Sequence, residues 1–210
     1  AVTDAPRFDV GMRREVVIGG NDGGVRLYEG KTGKQQWACA LGHASDEELG
    51  SGFSRFDIKD SFVYDEKRDL LICGTMDGSL CAIERKTGKE RFRYKAQFGI
   101  YSSPVLYRNT VIFNSLDKHT YCISLDTFTE KWRTPAHARI FSAPLIVGDS
   151  VYIGANTGRL SELSAETGVL RSFITLSERI TNKPAYDPRT ERFYIPTFAN
   201  EVYCFERTHN

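Results

Sequence analysis

VVIGGNDGGVRLYEGKTGKQQW at 16–37 and LLICGTMDGSLCAIERKTGKERF at 70–92 are two copies of one pattern. In each, an apolar run ends in glycine and an Asp-Gly turn follows. An alternating stretch then leads to Lys-Thr-Gly-Lys, and a large aromatic closes the unit. Further copies are VIFNSLDKHTYCISLDTFTEKW at 111–132, VYIGANTGRLSELSAETGVLRSF at 151–173 and RFYIPTFANEVYCFER at 192–207, the last of which stops short. Asp22, Asp77 and Asp117 each stand 15 residues before Trp37, Phe92 and Trp132. The fourth copy puts Thr157 in the Asp place and slips by one residue, to Phe173. A second landmark precedes the later copies: Ile58, Ile100, Ile140 and Ile180 open IKDSFV, IYSSPVL, IFSAPLI and ITNKPAY. Pro104, Pro144 and Pro184 step by 40 residues. Independent landmarks sharing one period mark a repeat architecture.

Each unit reads as four short strands. The Ile-opened segment is the first, with its proline at an irregular position. The V-x-I-G run is the second, the alternating stretch the third, and the stretch ending on the aromatic the fourth. Asp-Gly and Thr-Gly supply turns that tolerate positive φ. Four strands per repeat with no helical periodicity predict an all-β propeller of about five four-stranded blades, the last incomplete, in a single domain over 1–210. A closed five-blade ring and an arc of a larger ring both satisfy that count. The ring is the expectation, because an open arc would expose an apolar sheet face.

Composition narrows the function classes. The chain has 210 residues, 40% of them hydrophobic, enough for one sizeable core. A net charge of +1 disfavours a general nucleic-acid binder. No apolar run is long enough for a membrane span. The five cysteines, Cys39, Cys73, Cys81, Cys122 and Cys204, show no CxxC spacing. Cys122 and Cys204 share a register position in different units, with Cys81 one place earlier, so free thiols in the core are expected. A cytoplasmic location follows as the expectation, or a periplasmic or secreted one if a leader preceded Ala1.

The motif V-x-x-G-x-x-D-G-x-L-x-A-L-D-x-x-T-G-x-x-x-W resembles the pyrroloquinoline-quinone-type, or quinoprotein-like, propeller repeat, closely matched by GTMDGSLCAIERKTGKERF and GGNDGGVRLYEGKTGKQQW. The resemblance covers nearly the whole chain. It implies rings of seven or eight blades and, in the dehydrogenases, a vicinal Cys-Cys pair and a calcium site. This sequence has no adjacent cysteines and no gathered carboxylates, so no cofactor, catalytic residue or metal ligand is expected. His43, His119, His137 and His209 occur singly, without metal-ligand spacing. His119 is expected to be a solvent-exposed turn residue. Relatives without the quinone site serve as assembly scaffolds or sensors. The resemblance therefore implies a non-catalytic module recognising a protein or peptide. The alternatives are a quinone- or small-molecule-dependent enzyme and a binder of a small anionic ligand.

Site candidates lie on the connections between units. Trp37 to Ile58 spans 21 residues, whereas Phe92 to Ile100 spans 8. The surplus falls in LGHASDEELGSGFSRFD, where Ser45 and Glu48 form a helix-start pattern predicting a short helix over 44–50. Long loops on rigid scaffolds are disproportionately functional. The residues beside the repeated Ile include Lys59, Tyr101, Arg139, Phe141 and Arg179. With His43 and Glu47 they form the expected partner surface. Arg139, Arg179 and Lys59 suit a carboxylate or phosphate, unless Asp57, Asp60 and Glu178 neutralise them.

Overall fold

Asp-Gly and Thr-Gly turns fold adjacent segments back on one another, so each repeat becomes its own meander. The computed structural model describes residues 9–10, 13–42, 45 and 54–206, and every regular element in them is a strand. Sheet I is β1 (Asp9–Val10), β2 (Arg13–Gly19), β3 (Gly24–Glu29) and β4 (Gln35–Ala40). Sheet II is β5 (Val63–Asp65), β6 (Leu70–Gly74), β7 (Ser79–Glu84) and β8 (Glu90–Lys95). Sheet III is β9 (Val105–Tyr107), β10 (Thr110–Ser115), β11 (His119–Ser124) and β12 (Glu130–Pro135). Sheet IV is β13 (Leu145–Val147), β14 (Ser150–Gly154), β15 (Arg159–Ser164) and β16 (Leu170–Thr175). Sheet V, among the described residues, is β17 (Ala185–Asp187), β18 (Arg192–Pro196) and β19 (Val202–Glu206). All five sheets are antiparallel, with strands adjacent in chain order. The all-β reading holds. Sheets I and II lie in one compact unit, Ala1–Pro104, and sheets III to V in a second, Val105–Asn210.

The repeated aspartate is a turn cap. Asp22, Asp77 and Asp117 accept the amide hydrogens of Gly24, Ser79 and His119 at 2.9, 3.0 and 3.0 Å. These side chains fix the hairpins locally. The next residue is left-handed: Gly23, Gly78 and Gly158 have φ of 74, 88 and 79°, with Lys118 at 73° and Asn200 at 61° in the same place. A Cβ is penalised there, which explains why glycine predominates. The third-to-fourth strand pairing carries a bulge at one position throughout, between Leu27/Tyr28, Ala82/Ile83, Cys122/Ile123 and Glu162/Leu163.

The repeated isoleucine does something else than open a strand. Ile58, Ile100, Ile140 and Ile180 lie in extended linkers ahead of β5, β9, β13 and β17, and all four are buried. Each linker runs over the end of the preceding sheet. A Cβ on Gly19 would come within 2.8 Å of Ile58 Cγ2, and one on Gly74 or Gly154 would overlap Ile100 or Ile180 outright. The V-x-I-G glycine therefore serves close approach rather than backbone conformation. Asn114 occupies the corresponding place in sheet III and donates its side-chain amide to the Ser142 carbonyl at 2.9 Å. Backbone bonds complete the joint. Ile180 N–H donates to Ala155 O of sheet IV, while Phe198 N–H of sheet V donates to Arg179 O.

Two of the closing aromatics, Trp37 and Trp132, cover the next sheet, as the repeat implies. Trp37 Nε1 donates to Arg85 O at 2.7 Å and its ring lies on Gly88, and Trp132 lies likewise on Gly168. Beneath Trp37, Arg85 pairs with Glu15 of sheet I at 2.8 Å and with Asp69 of sheet II at 2.6 Å. All five cysteines are free. Cys73 stands directly across from Cys81 in sheet II, a juxtaposition the repeat register does not reveal. Burial pushes the Cys81 and Cys122 thiols up to about 12 and about 11.

Gly74→Ala is expected to destabilise the chain by about 1–3 kcal/mol, because the added methyl meets Ile100. A urea midpoint unchanged from the wild type would contradict this close-approach account. Acid should also unfold the protein. Burial acts to raise the Asp69 and Asp77 carboxyls, but Arg85 and Tyr64 outweigh it at Asp69. Lys95, Thr75 and Ser79 do so at Asp77, and both groups end below their ordinary range. A depressed folded-state value adds stability above the unfolded value of about 4, and that stability is lost as pH falls through the folded value. Denaturation monitored from pH 6 down to pH 2 should show this loss, and Asp77→Asn should flatten it.

Candidate functional site

The linkers and the second-to-third strand turns meet at one end of each sheet, joined by the backbone bonds described above. In the first unit, Met76 N–H donates to Asp57 O at 2.9 Å. Asp57 is fully buried and its Oδ2 accepts from Lys59 Nζ at 2.5 Å, whereas Oδ1 has no hydrogen-bond partner among the described residues. The Lys59 ammonium is thus committed to a buried carboxylate, the neutralised alternative. Asp60 instead accepts the Ser103 amide hydrogen at 2.8 Å. Tyr101 is 40% exposed.

In the second unit, Arg139 and Arg179 are both exposed, and Phe141 is half-buried. The two arginines occupy equivalent linker positions: Asn156 N–H donates to Arg139 O at 2.9 Å and Phe198 N–H to Arg179 O at 3.0 Å. The Arg179 guanidinium lies 4.0 Å from the centroid of the Phe198 ring, itself 59% exposed. Phe198 was not among the sequence candidates. It takes the turn place held by Asn21, Met76, Leu116 and Asn156 in the other repeats, and the one aromatic at that place is the signal that could have found it. An exposed guanidinium stacked on an exposed ring is chemistry that anchors protein interfaces.

His43, Glu47 and the helix expected over 44–50 lie outside the described residues. His119 corrects an expectation: it is half-buried rather than a solvent-exposed turn residue, with Nδ1 3.1 Å from the Asp117 carbonyl. Among the described residues, no group of three or more His, Cys, Asp and Glu side chains could hold a metal ion. No helix among them is long and apolar enough to cross a membrane.

Repeated four-stranded meanders stitched by linker isoleucines and covered by closing aromatics define a propeller of the pyrroloquinoline-quinone-like repeat class. A family model described as outer membrane protein assembly factor BamB matches residues 21–210, and the chain belongs to that family. The protein of that name from Legionella pneumophila (strain Paris) is 26% identical over 174 residues, covering 81% of this chain and 43% of that protein. Its namesake from Burkholderia pseudomallei (strain K96243) is 25% identical over 159 residues, covering 73% of this chain and 38% of that protein. The chain thus spans less than half the length of the curated relatives it matches. Among solved structures, BamB from Moraxella catarrhalis superposes with a TM-score of 0.73 at 18% identity, over 98% of this chain and 61% of that one. The computationally designed Ika8 protein reaches 0.78 at 17% identity, over 98% of this chain and 58% of its own. Both likenesses concern the fold.

These relatives overturn the expectation of a cytoplasmic protein, since they are outer-membrane assembly factors. The thiol argument failed for a physical reason. Cysteines held apart by the repeat, such as Cys122 and Cys204, stay unpaired in any redox compartment, so their count carries little information on location.

Replacing Lys59 tests its structural commitment. Lys59→Met leaves Asp57 buried and unpaired, and chemical denaturation should show a loss of about 3 kcal/mol. Wild-type stability would show that the pair is dispensable.

Proposed function

We propose that this chain is a non-catalytic propeller module that engages a protein or peptide partner in outer-membrane protein assembly, on the periplasmic side. The supporting observation is the family match over residues 21–210. The five sheets serve in this reading as successive blades of one propeller domain. The linker ends supply the contact residues: Tyr101 in the first unit, and Arg139, Phe141, Arg179 and Phe198 in the second. His43 and Glu47, on the long connection, are proposed as further contact residues. Lys59 contributes by holding its linker in place through Asp57.

Exposed aromatic and guanidinium groups favour a polypeptide over a small anion, because a ring adds apolar area that a phosphate cannot use. The test is binding of the purified chain to detergent-solubilised outer-membrane assembly machinery and to an unfolded outer-membrane β-barrel precursor. Arg179→Ala and Phe198→Ala should each weaken binding at least fivefold while preserving the thermal unfolding profile. Arg139→Ala should act in the same direction. Undiminished binding by all three folded variants would move the contact surface elsewhere. Binding of inorganic phosphate, lost in Arg139→Ala and Arg179→Ala without any protein binding, would favour the small-anion reading.

A further inference from the structure

Sheet II carries two sulfurs where the repeat asks for none. Cys73 and Cys81 stand directly across from each other on β6 and β7. In the other sheets the same cross-strand place holds Ile18 with Arg26, Phe113 with Tyr121, Ile153 with Ser161, and Ile195 with Tyr203. Side chains at this place do meet, since the Phe113 and Tyr121 rings stack with their centroids 5.1 Å apart.

The hairpin fixes how closely the two thiols approach. Thr75 N–H donates to Ser79 O at 2.9 Å, and Asp77 caps the turn by accepting the Ser79 amide hydrogen. Antiparallel pairs alternate, so two residues further from the turn Cys73 and Cys81 are again a hydrogen-bonded pair, with Cα atoms about 5.5 Å apart. A disulfide requires roughly 4.4–6.8 Å.

Access to the pair depends on sheet I. Both cysteines are fully buried, in one cluster with Val17, Val25 and Leu27 of that sheet. Arg93, opposite Cys81, donates to Leu41 O at 2.7 Å and ties β8 to the chain beyond β4. Burial holds both thiols well above their ordinary range, which leaves almost no thiolate in the folded chain. Half-buried Cys39 packs on the same cluster from β4. The β6–β7 hairpin, in contrast, rests on local bonds, whereas packing on sheet I joins segments far apart in sequence and closes later.

We propose that Cys73 and Cys81 form a redox modification site, closed by a disulfide oxidant once the hairpin has formed and before sheet I packs on it. One cysteine thiolate attacks an oxidant sulfur. A mixed disulfide forms, the oxidant S–S bond breaks and one thiolate leaves. The second cysteine thiolate attacks the protein sulfur of that mixed disulfide, making the bond from Cys73 to Cys81 and expelling the other thiolate. Two protein thiols are thereby oxidised and one oxidant disulfide is reduced to two thiols, which take up the two protons. Packing of sheet I then seals the bridge. The site shares no residue with the linker surface above, so either can fail without the other.

The test refolds the reduced, urea-unfolded chain in oxidised and reduced glutathione and maps disulfides by mass spectrometry. A bridge from Cys73 to Cys81 should predominate, in a Cys39→Ala variant as in the wild type. The folded, reduced chain in the same buffer should acquire it on the order of a hundredfold more slowly, because its thiols are sealed and protonated. Chain produced in an oxidising compartment and isolated without reductant should carry the same bridge. Refolded and isolated chains both lacking it would overturn the proposal. So would a predominant bridge from Cys39 to either cysteine, or equally fast bridging of the folded chain.

Discussion

The contact between a linker isoleucine and the end of the preceding sheet is the constraint on which the rest of the chain depends. A single sheet of this size buries one strip of residues and cannot stand alone. Ile58, Ile100 and Ile180 press into space that exists only because Gly19, Gly74 and Gly154 have no side chain. Ile180 and its neighbour Arg179 are also bonded through their backbones to sheets IV and V, so position and direction are fixed together. Sheet III shows the same joint made with different chemistry, Asn114 reaching the Ser142 carbonyl in place of a bare glycine. One joint repeated within each unit ties a sheet to its neighbour in sequence.

That joint also shapes the surface available for binding. Linkers and turns meet at one sheet end, and whatever sits beside the isoleucine is presented there on a rigid base. The repeat requires the isoleucine and leaves the flanking positions open, so Asp57, Arg139 and Arg179 occupy one equivalent position with unlike chemistry. Asp57 turns inward to Lys59, while Arg179 turns outward onto Phe198. A scaffold of this kind varies its recognition chemistry at little cost to stability, since exposed substitutions disturb few contacts.

Sheet V presents two unlike faces. Its β18 and β19 bury Phe193 and Ile195 against Tyr152 and Ile180, so one face is packed as well as any other. The opposite face presents Tyr194 and Val202 to solvent, beside an edge with no neighbour among the described residues. Open edges and exposed apolar faces are features that folded proteins ordinarily cover or charge.

The sequence alone determined the strand content, the hairpins and the repeat, because these rest on local chemistry: Asp caps its own turn and glycine takes the left-handed step. It also marked the isoleucines and closing aromatics as equivalent. It assigned the isoleucines to strands, however, since an apolar residue before a proline-containing extended segment has the same pattern whether it pairs or merely packs. Only the tertiary structure decided that they are linker residues filling a glycine hollow, and that Cys73 faces Cys81. The same holds for Phe198 meeting Arg179, and for the Lys59 charge being taken up by Asp57. Each of those facts depends on residues brought together through space, and a period along the chain records equivalence without recording contact.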